Sequence, residues 1–367
     1  MAKLVVVGAG IMGLSVARSA TKAGHEVTVL ERGPGVDDRI ASVDESRLIR
    51  HPYGAMFGYA RMIDSAYAAW DRLWDDLGVR HYRHTGTLCL GEGDSPSLAR
   101  SAEGVRQAGQ SVEWLDRAEI ESRFAPFAPP ASARGFYVDT GGVLFAKAIV
   151  SDLLRWTERH GTTLRTHAPV ATVDLEDASC TLTSGEVVNA DRIVLALGAW
   201  TPDLMKDAAP IQPSRQAVLY ASVPSPMASA WSRMPLALSI DPGSSGSYWV
   251  PSATGATLKM GDHTFNPGGH PDQDRELTSR ELQELMNKAG RWLRSPALYT
   301  VLRGTSCYYA VAPYEAFVVR PLSSRSWMMA GFSGHGFKFG PLLGERVIAA
   351  MDGQVSSDEV QRWAAGG

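Results

Sequence analysis

The 367-residue sequence predicts a mixed fold: an α/β domain built on a parallel sheet, with an α+β domain built on an antiparallel sheet inserted into it. Three observations predict it. Residues 4–32 pass through a strand, a glycine-rich turn, a helix and a second strand. A buried strand ending on a glycine returns at 191–198, and another at 326–331. Residues 211–309 instead carry short strands separated by proline and glycine, a pattern of antiparallel sheets with covering helices.

The first unit reads LVVVGAGIMGLSVARSATKAGHEVTVLER. Its apolar run at 4–7 suits a buried parallel strand. Gly8, Gly10 and Gly13 follow as GxGxxG, which serves a tight turn, close approach of backbone to a pyrophosphate, and close helix–strand packing. Ile11, Leu14, Ala17 and Ala20 recur at helical spacing, Gly24 ends the helix, and a strand over 27–30 closes on Glu31. The helix N-terminus offers unpaired N–H groups and a positive dipole end to phosphates. Glu31 stands about twenty residues beyond the glycines, where an acid holds a ribose hydroxyl. The unit therefore predicts dinucleotide binding rather than a bare βα turn.

The remaining elements follow in order. Residues 33–44 read as loop. Arg47 and Arg50 lie three apart; on a helix they share a face and make bidentate anion clamps, although spacing alone favours a solvated basic edge. Periodicity over 59–77, with Ile63, Tyr67, Trp70 and Leu73 on one stripe, is core packing. Alternation over 82–90 predicts a strand. Helices follow over 96–108 and from Asp116, where Glu119 completes a capping box. A proline-rich loop at 124–130, a strand and turn at 137–144, a helix over 146–160 and a strand over 161–166 lead into a meander at 170–175 and 180–182. In the middle region, strands over 217–223, 236–240, 246–250 and 257–261 accompany one amphipathic helix marked by Leu282, Leu285, Met286, Ala289 and Leu293. Strands at 317–319 and 326–331, a second glycine-rich turn at 331–338 and a helix over 342–351 complete the pattern. The nucleotide-binding domain is expected to comprise residues 1–80, 145–209 and 314–367, and the substrate domain 81–144 and 210–313.

Composition sets the limits. With 44% hydrophobic residues the chain has material for a large core, and a net charge of −3 without a basic run gives no nucleic-acid footprint. Cys89, Cys180 and Cys307 are far apart and form no CxxC pair, which suits a reducing compartment and argues against disulfides or a zinc site. No apolar stretch reaches membrane-spanning length, and a strand beginning at the fourth residue leaves no room for a signal peptide. The expectation is a cytoplasmic protein with no metal, nucleic-acid or membrane partner.

Six motifs carry a resemblance along nearly the whole chain: GAGIMG at 8–13, SRLIRHPYG at 46–54, GVLF at 142–145, LALGAW at 195–200, LKMGDHTF at 258–265 and GFSGHGFKF at 331–339. The sequence resembles the monomeric sarcosine oxidase and N-methyltryptophan oxidase family, flavoproteins with a D-amino-acid-oxidase-like architecture. The resemblance implies a Rossmann-type FAD-binding domain with an inserted antiparallel-sheet substrate domain, oxidation of secondary amino acids through FAD, and reoxidation by dioxygen.

Residue by residue, the resemblance implies FAD contacts from Gly8, Gly10, Ile11, Met12, Gly13, Glu31, Arg32, Ser42, Ser46, Arg47, Val170, Gly198, Trp200, Gly334, Gly336, Phe337 and Lys338. Cys307 falls where the family attaches its flavin through a thioether; a thiolate is the sensible nucleophile, and Arg303 is expected to help lower its pKa. Arg50 and Lys338 fall where the substrate carboxylate is gripped, and Arg47 falls beside the flavin ring. Tyr248, Tyr309 and His263 line the pocket. Lys259 falls where a lysine over the ring activates dioxygen, a cation stabilising the negative charge that develops there; by itself it reads as an ordinary strand lysine. Two departures from the sarcosine oxidases, Val43 for a histidine and Ser239 for a methionine, are expected to enlarge the substrate pocket. Arg320 replaces the family's usual aspartate, with no physical account.

The expected function is an FAD-dependent oxidase of a secondary (N-methyl or N-alkyl) α-amino acid, giving an imine that hydrolyses and hydrogen peroxide, in a monomer whose partners are a small amino acid and dioxygen. The alternatives are a fructosyl (Amadori) amino acid oxidase, a cyclic amino acid (pipecolate- or proline-like) oxidase and, from a different class, an inactive flavin-binding partner subunit.

Overall fold

The computed structural model describes residues 1–205, 210–240 and 246–367. Strand β1 (Lys3–Val7) is central to a six-stranded sheet, running between β2 (Glu26–Leu30) and Arg192–Leu195 and parallel to both. Thr163–Arg165 extends the sheet beyond β2, and Ser326–Ala330 extends it on the other side, both in parallel. Val318–Pro321 closes that edge antiparallel. The near-continuous apolar sequence of β1 is explained by burial on both faces. Leu4 and Val6 join the core formed with helix α1 (Ile11–Lys22), α2 (Phe57–Leu77), Ala146–Arg159 and Gly340–Met351. Val5 and Val7 join a second core against the antiparallel meander Val170–Asp174, Ser179–Leu182 and Val187–Asn189.

The other large sheet has eight strands, in the order Thr300–Val311, Gln212–Ser222, Thr257–Asp262, Ser247–Pro251, Leu236–Ser239, Thr87–Glu92, Ala133–Val138, Glu113–Leu115. Its neighbours pair antiparallel except Leu236–Ser239, which lies parallel to Thr87–Glu92. These two come from distant parts of the chain, so no hairpin imposes their direction. One face packs Trp231, Trp249, Trp292 and Phe127 with the helix Ser279–Gly290. Alternation assigns the opposite face: Leu219, Ala221, Trp249, Leu258 and Met260 belong to that core, so Tyr220, Tyr248 and Lys259 point away from it.

Several elements differ from the sequence reading. Residues 47–49 form strand β3 (Arg47–Ile49), paired antiparallel with Gly142–Leu144, so the two arginines share no helical face. The stretch at 82–90 divides into Tyr82–His84, which pairs with Gly142–Leu144, and Thr87–Glu92, because Gly86 turns with φ +71° between them. The twelve-residue strand Thr300–Val311, the short strand Glu113–Leu115 and the last helix, Ser357–Ala364, are additions. The Asp116–Glu119 capping box is present as expected. The expected segment end at 209 lies outside the described residues.

Candidate active site

A cleft of about 410 Å³ opens at the carboxyl ends of β1, β2 and Arg192–Leu195, the usual place for a ligand on a doubly wound sheet. Gly8, Gly10, Ile11, Met12, Glu31, Arg32, Ser42, Arg47, Val170, Gly198, Trp200, Gly334, Gly336 and Phe337 all line it. Gly8 has φ +104°, which a side chain opposes. Gly13 lies outside the lining: a Cβ there would sit 1.9 Å from the Gly8 carbonyl oxygen, so its role is to let the helix pack on the turn. The Ile11 N–H donates to Ser42 Oγ at 3.0 Å, fixing the loop against the helix start. Glu31 is buried, and its two oxygens accept from Ala9 N–H and Gly33 N–H, both at 2.8 Å. At the rim, Asp272 accepts from Arg32 Nη2 at 2.8 Å and from Trp200 Nε1 at 3.2 Å.

A second cavity, of about 300 Å³, is lined by residues of β3, the large sheet and the turn at 334–338. Arg47, Tyr309, Gly334 and Phe337 line both spaces, so the two meet there. Arg50, Tyr248, Lys259, His263 and Ser239, all expected around a substrate, line this cavity. Ser46, Cys307 and Lys338 line it too, and not the cleft, although they are expected as cofactor contacts. Val43 lines neither. It turns back through a Val43 N–H to Ile40 carbonyl bond at 2.9 Å and is buried in the helix-side core. Its loss of polarity therefore acts on core packing, not on pocket size, and the enlargement expected from it does not follow.

The charges divide into two groups. Lys338 Nζ donates to Tyr53 Oη at 2.9 Å and to the His335 carbonyl at 2.8 Å. The Arg50 guanidinium lies 5.0 Å from the Tyr53 ring centre. Burial first, and then the Arg50 charge, drives the Lys338 amine well below the ordinary lysine range. Lys259 donates instead to Asp44 Oδ2 at 2.6 Å and to the Ser46 carbonyl at 2.7 Å. Burial, followed by repulsion from Arg47, brings its pKa down to about 8 against the pull of Asp44. Arg47 donates to Asp44 Oδ2 at 2.5 Å, to the Ser46 carbonyl at 2.9 Å and to the Ala41 carbonyl at 2.6 Å. Burial pushes the Tyr248 and Tyr309 phenols up, so both stay neutral. His263 is half-exposed at this cavity, its Nε2 3.0 Å from Glu315 Oε2.

Cys307 sits on Thr300–Val311, opposite Gln216. Burial raises its thiol pKa, and the cations that oppose this are Arg47, Lys259 and Arg275. Arg303, the expected helper, is engaged elsewhere: it pairs with Glu45 at 2.5 Å and lies 3.7 Å over the Tyr220 ring.

Sequence reasoning missed Asp44, Tyr53, Tyr220, Glu315 and His335. Tyr53 and His335 stand inside PYG and SGHGF, so motif membership pointed to them. His335 is held neutral by burial and by Lys338, with Nε2 3.1 Å from the Glu315 carbonyl. Asp44 had one signal only, an acid three residues before Arg47.

Residues 3–350 match the FAD dependent oxidoreductase family. The chain is similar to monomeric sarcosine oxidase of Arthrobacter sp. (strain TE1826), with 27% identity over 373 residues, covering 97% of this chain and 94% of that protein. It is 28% identical over 349 residues to N-methyl-L-tryptophan oxidase of Salmonella arizonae, covering 93% and 92%. Among solved structures, NikD, an amino acid oxidase of nikkomycin biosynthesis, matches with a TM-score of 0.85 at 21% identity over 99% of this chain and 97% of that one. Amadoriase I from Aspergillus fumigatus matches at 0.81 and 19% identity, covering 99% and 89%. These structures share the fold. Among the described residues, no helix is long and apolar enough to cross a membrane, and no His/Cys/Asp/Glu group is arranged to hold a metal.

Proposed function

Because this chain belongs to the FAD dependent oxidoreductase family, we propose that it is an oxidase of a secondary, N-methyl or N-alkyl, α-amino acid. One observation carries the reading: a buried lysine, Lys338, and the partly exposed Arg50 line a cavity that joins the cofactor cleft at Arg47, Tyr309, Gly334 and Phe337. A substrate carboxylate supplies the charge this pair lacks.

The cleft fits FAD. Gly8 and Gly13 admit no Cβ, helix α1 starts at the cleft, and Glu31 is a buried carboxylate that suits a ribose hydroxyl. Ser42, Arg32, Val170, Trp200 and the 334–337 turn would complete its walls. When bound, FAD would supply the redox chemistry, a hydride acceptor for the carbon beside the substrate nitrogen and an electron donor to dioxygen, with an imine that hydrolyses and hydrogen peroxide as the products. The chain's own residues do the rest. Arg50 and Lys338 orient the acid, Tyr248 and Tyr309 give neutral aromatic walls, and His263 with Glu315 adds a polar pair to the lining. Lys259 supplies the cation for dioxygen, and Cys307 is the proposed point of covalent attachment.

The cavity, at about 300 Å³, is larger than sarcosine fills, which favours a bulkier N-substituent. The same space, with Ser97 and Ser239 on its wall, supports the fructosyl amino acid as a second reading. We take the protein to be a cytoplasmic monomer. A peroxide assay with sarcosine, N-methyltryptophan, fructosyl-valine and pipecolate separates the readings. Peroxide from N-methyltryptophan above the others is expected. Flavin-loaded protein that yields none with any acid overturns the oxidase reading.

A further inference from the structure

Asp44 is the most heavily engaged side chain of the site, and no motif contains it. Its carboxylate accepts from Arg47 Nη1 at 2.5 Å, Lys259 Nζ at 2.6 Å, its neighbour's Glu45 N–H at 2.7 Å, and the Tyr220 hydroxyl. A carboxylate has about four acceptor positions, so these donors saturate it. The loop carrying it is held as well, since the Asp44 carbonyl accepts from Lys147 N–H at 2.9 Å. Tyr220 stands directly opposite Lys259 in the sheet, and its ring is covered by Arg303, which pairs with Glu45. The carboxylate is thus clamped from a loop, from β3 and from two strands of the large sheet.

We propose that Asp44 is a positioning residue for the oxygen half of the reaction, holding the Lys259 ammonium and the Arg47 guanidinium at the place where the two cavities meet. The proposal rests on the reading of Lys259 as the oxygen-facing cation. Two cations side by side repel, and the lysine is the one that can relieve this by losing its proton. With Asp44 between them the cluster carries one net positive charge, and Asp44 and the Ser46 carbonyl together fix two of the three ammonium donors. The ionisable groups around Lys259 are Arg47 on β3, Cys307 on Thr300–Val311 and Asp44 itself. Around Asp44 they are Arg47, Lys259 and Tyr220, with Glu45 and Arg303 behind the tyrosine.

The test uses Asp44→Asn, which keeps the shape and removes the charge. In protein carrying isotope-labelled lysine, the Lys259 titration midpoint, read by nuclear magnetic resonance, should fall by about one unit or more from its wild-type value. Aerobic reoxidation of chemically reduced holoenzyme should slow about fivefold at pH 8 and return towards the wild-type rate at pH 6, where the lysine is recharged. Asp44→Glu, which restores the carboxylate, should bring the midpoint back. In a Lys259→Met background Asp44→Asn should cost clearly less than it does alone, because of its two partners only Arg47 remains. An unchanged midpoint in Asp44→Asn, or an undiminished loss in the Lys259→Met background, overturns the proposal. Should wild-type protein prove unreactive towards dioxygen, the oxidase reading fails, while the lysine titration still decides whether Asp44 governs Lys259.

Discussion

The second cavity is lined by two pairs of basic side chains, each a buried lysine with a partly exposed arginine, Lys259 with Arg47 and Lys338 with Arg50, and they are neutralised differently. The first pair shares the Asp44 carboxylate. The second has no ion pair among the described residues: Lys338 donates to a phenol and a carbonyl, and Arg50 stacks on the ring of that phenol. Each buried ion costs several kcal/mol of desolvation unless paired. A protein that neutralises one cation pair internally and leaves its neighbour to an incoming group has separated two tasks. The balanced pair presents a fixed positive charge whatever else is bound. On the proposed reading, the pair without a carboxylate gains its counter-charge from the substrate acid.

The sharpest way to break this comparison is to remove one unbalanced cation. Lys338→Met should weaken binding of carboxylate substrates and inhibitors by about 2–5 kcal/mol, seen as a raised KM with an unaltered flavin spectrum. Wild-type protein that oxidises amines without a carboxylate equally well would show that the pair holds no acid. Next in size is the balanced pair. Lys259→Met should slow reoxidation by dioxygen about a hundredfold, because a fixed cation is lost where negative charge develops. Anaerobic reduction by the substrate should change far less, and stopped-flow measurement of the two half-reactions separates them.

A third, smaller effect distinguishes the pairs by pH. Lys338 in the free protein has its pKa well below the ordinary lysine range, through burial and Arg50. A bound carboxylate favours the charged amine and raises that pKa, so binding takes up a proton between the two values. Affinity for an acid should therefore be complete below the free-protein pKa and fall by up to about tenfold per unit as pH rises through that window. Calorimetry in buffers of different ionisation enthalpy should detect the proton, and Lys338→Met should abolish it. The smallest effect expected on rate is that of Cys307→Ser. Burial raises this thiol while Arg47 and Lys259 oppose the rise, so the balanced pair would assist attachment. Acid-precipitated wild-type protein should stay yellow and the variant should release its flavin; a colourless wild-type pellet breaks the covalent assignment.

Much of this was legible along the chain. The dinucleotide turn, its helix and Glu31 lie within one local unit, where strand, glycine spacing and helix period each constrain the same short segment. The capping box at Asp116 and the amphipathic helix Ser279–Gly290 were equally local. What remained hidden depends on contacts between distant segments. The pattern Leu258-Lys259-Met260 shows that the lysine leaves the core face, but a strand has no information about what stands opposite that face. The partner proved to be Asp44, 215 positions away, in a loop with no periodicity to read. Val43 shows the reverse error, since a residue that the resemblance put at the pocket lies in the core, its N–H bonded to the Ile40 carbonyl. The sequence by itself determined the glycine-rich strand–helix–strand unit and the two sheet types, because these follow from local spacing, while the family resemblance named side chains that line the two spaces. Only the tertiary structure decided which cations are neutralised and which are left for a ligand, because charge balance in a buried cavity is a sum over elements that meet only when the chain has folded.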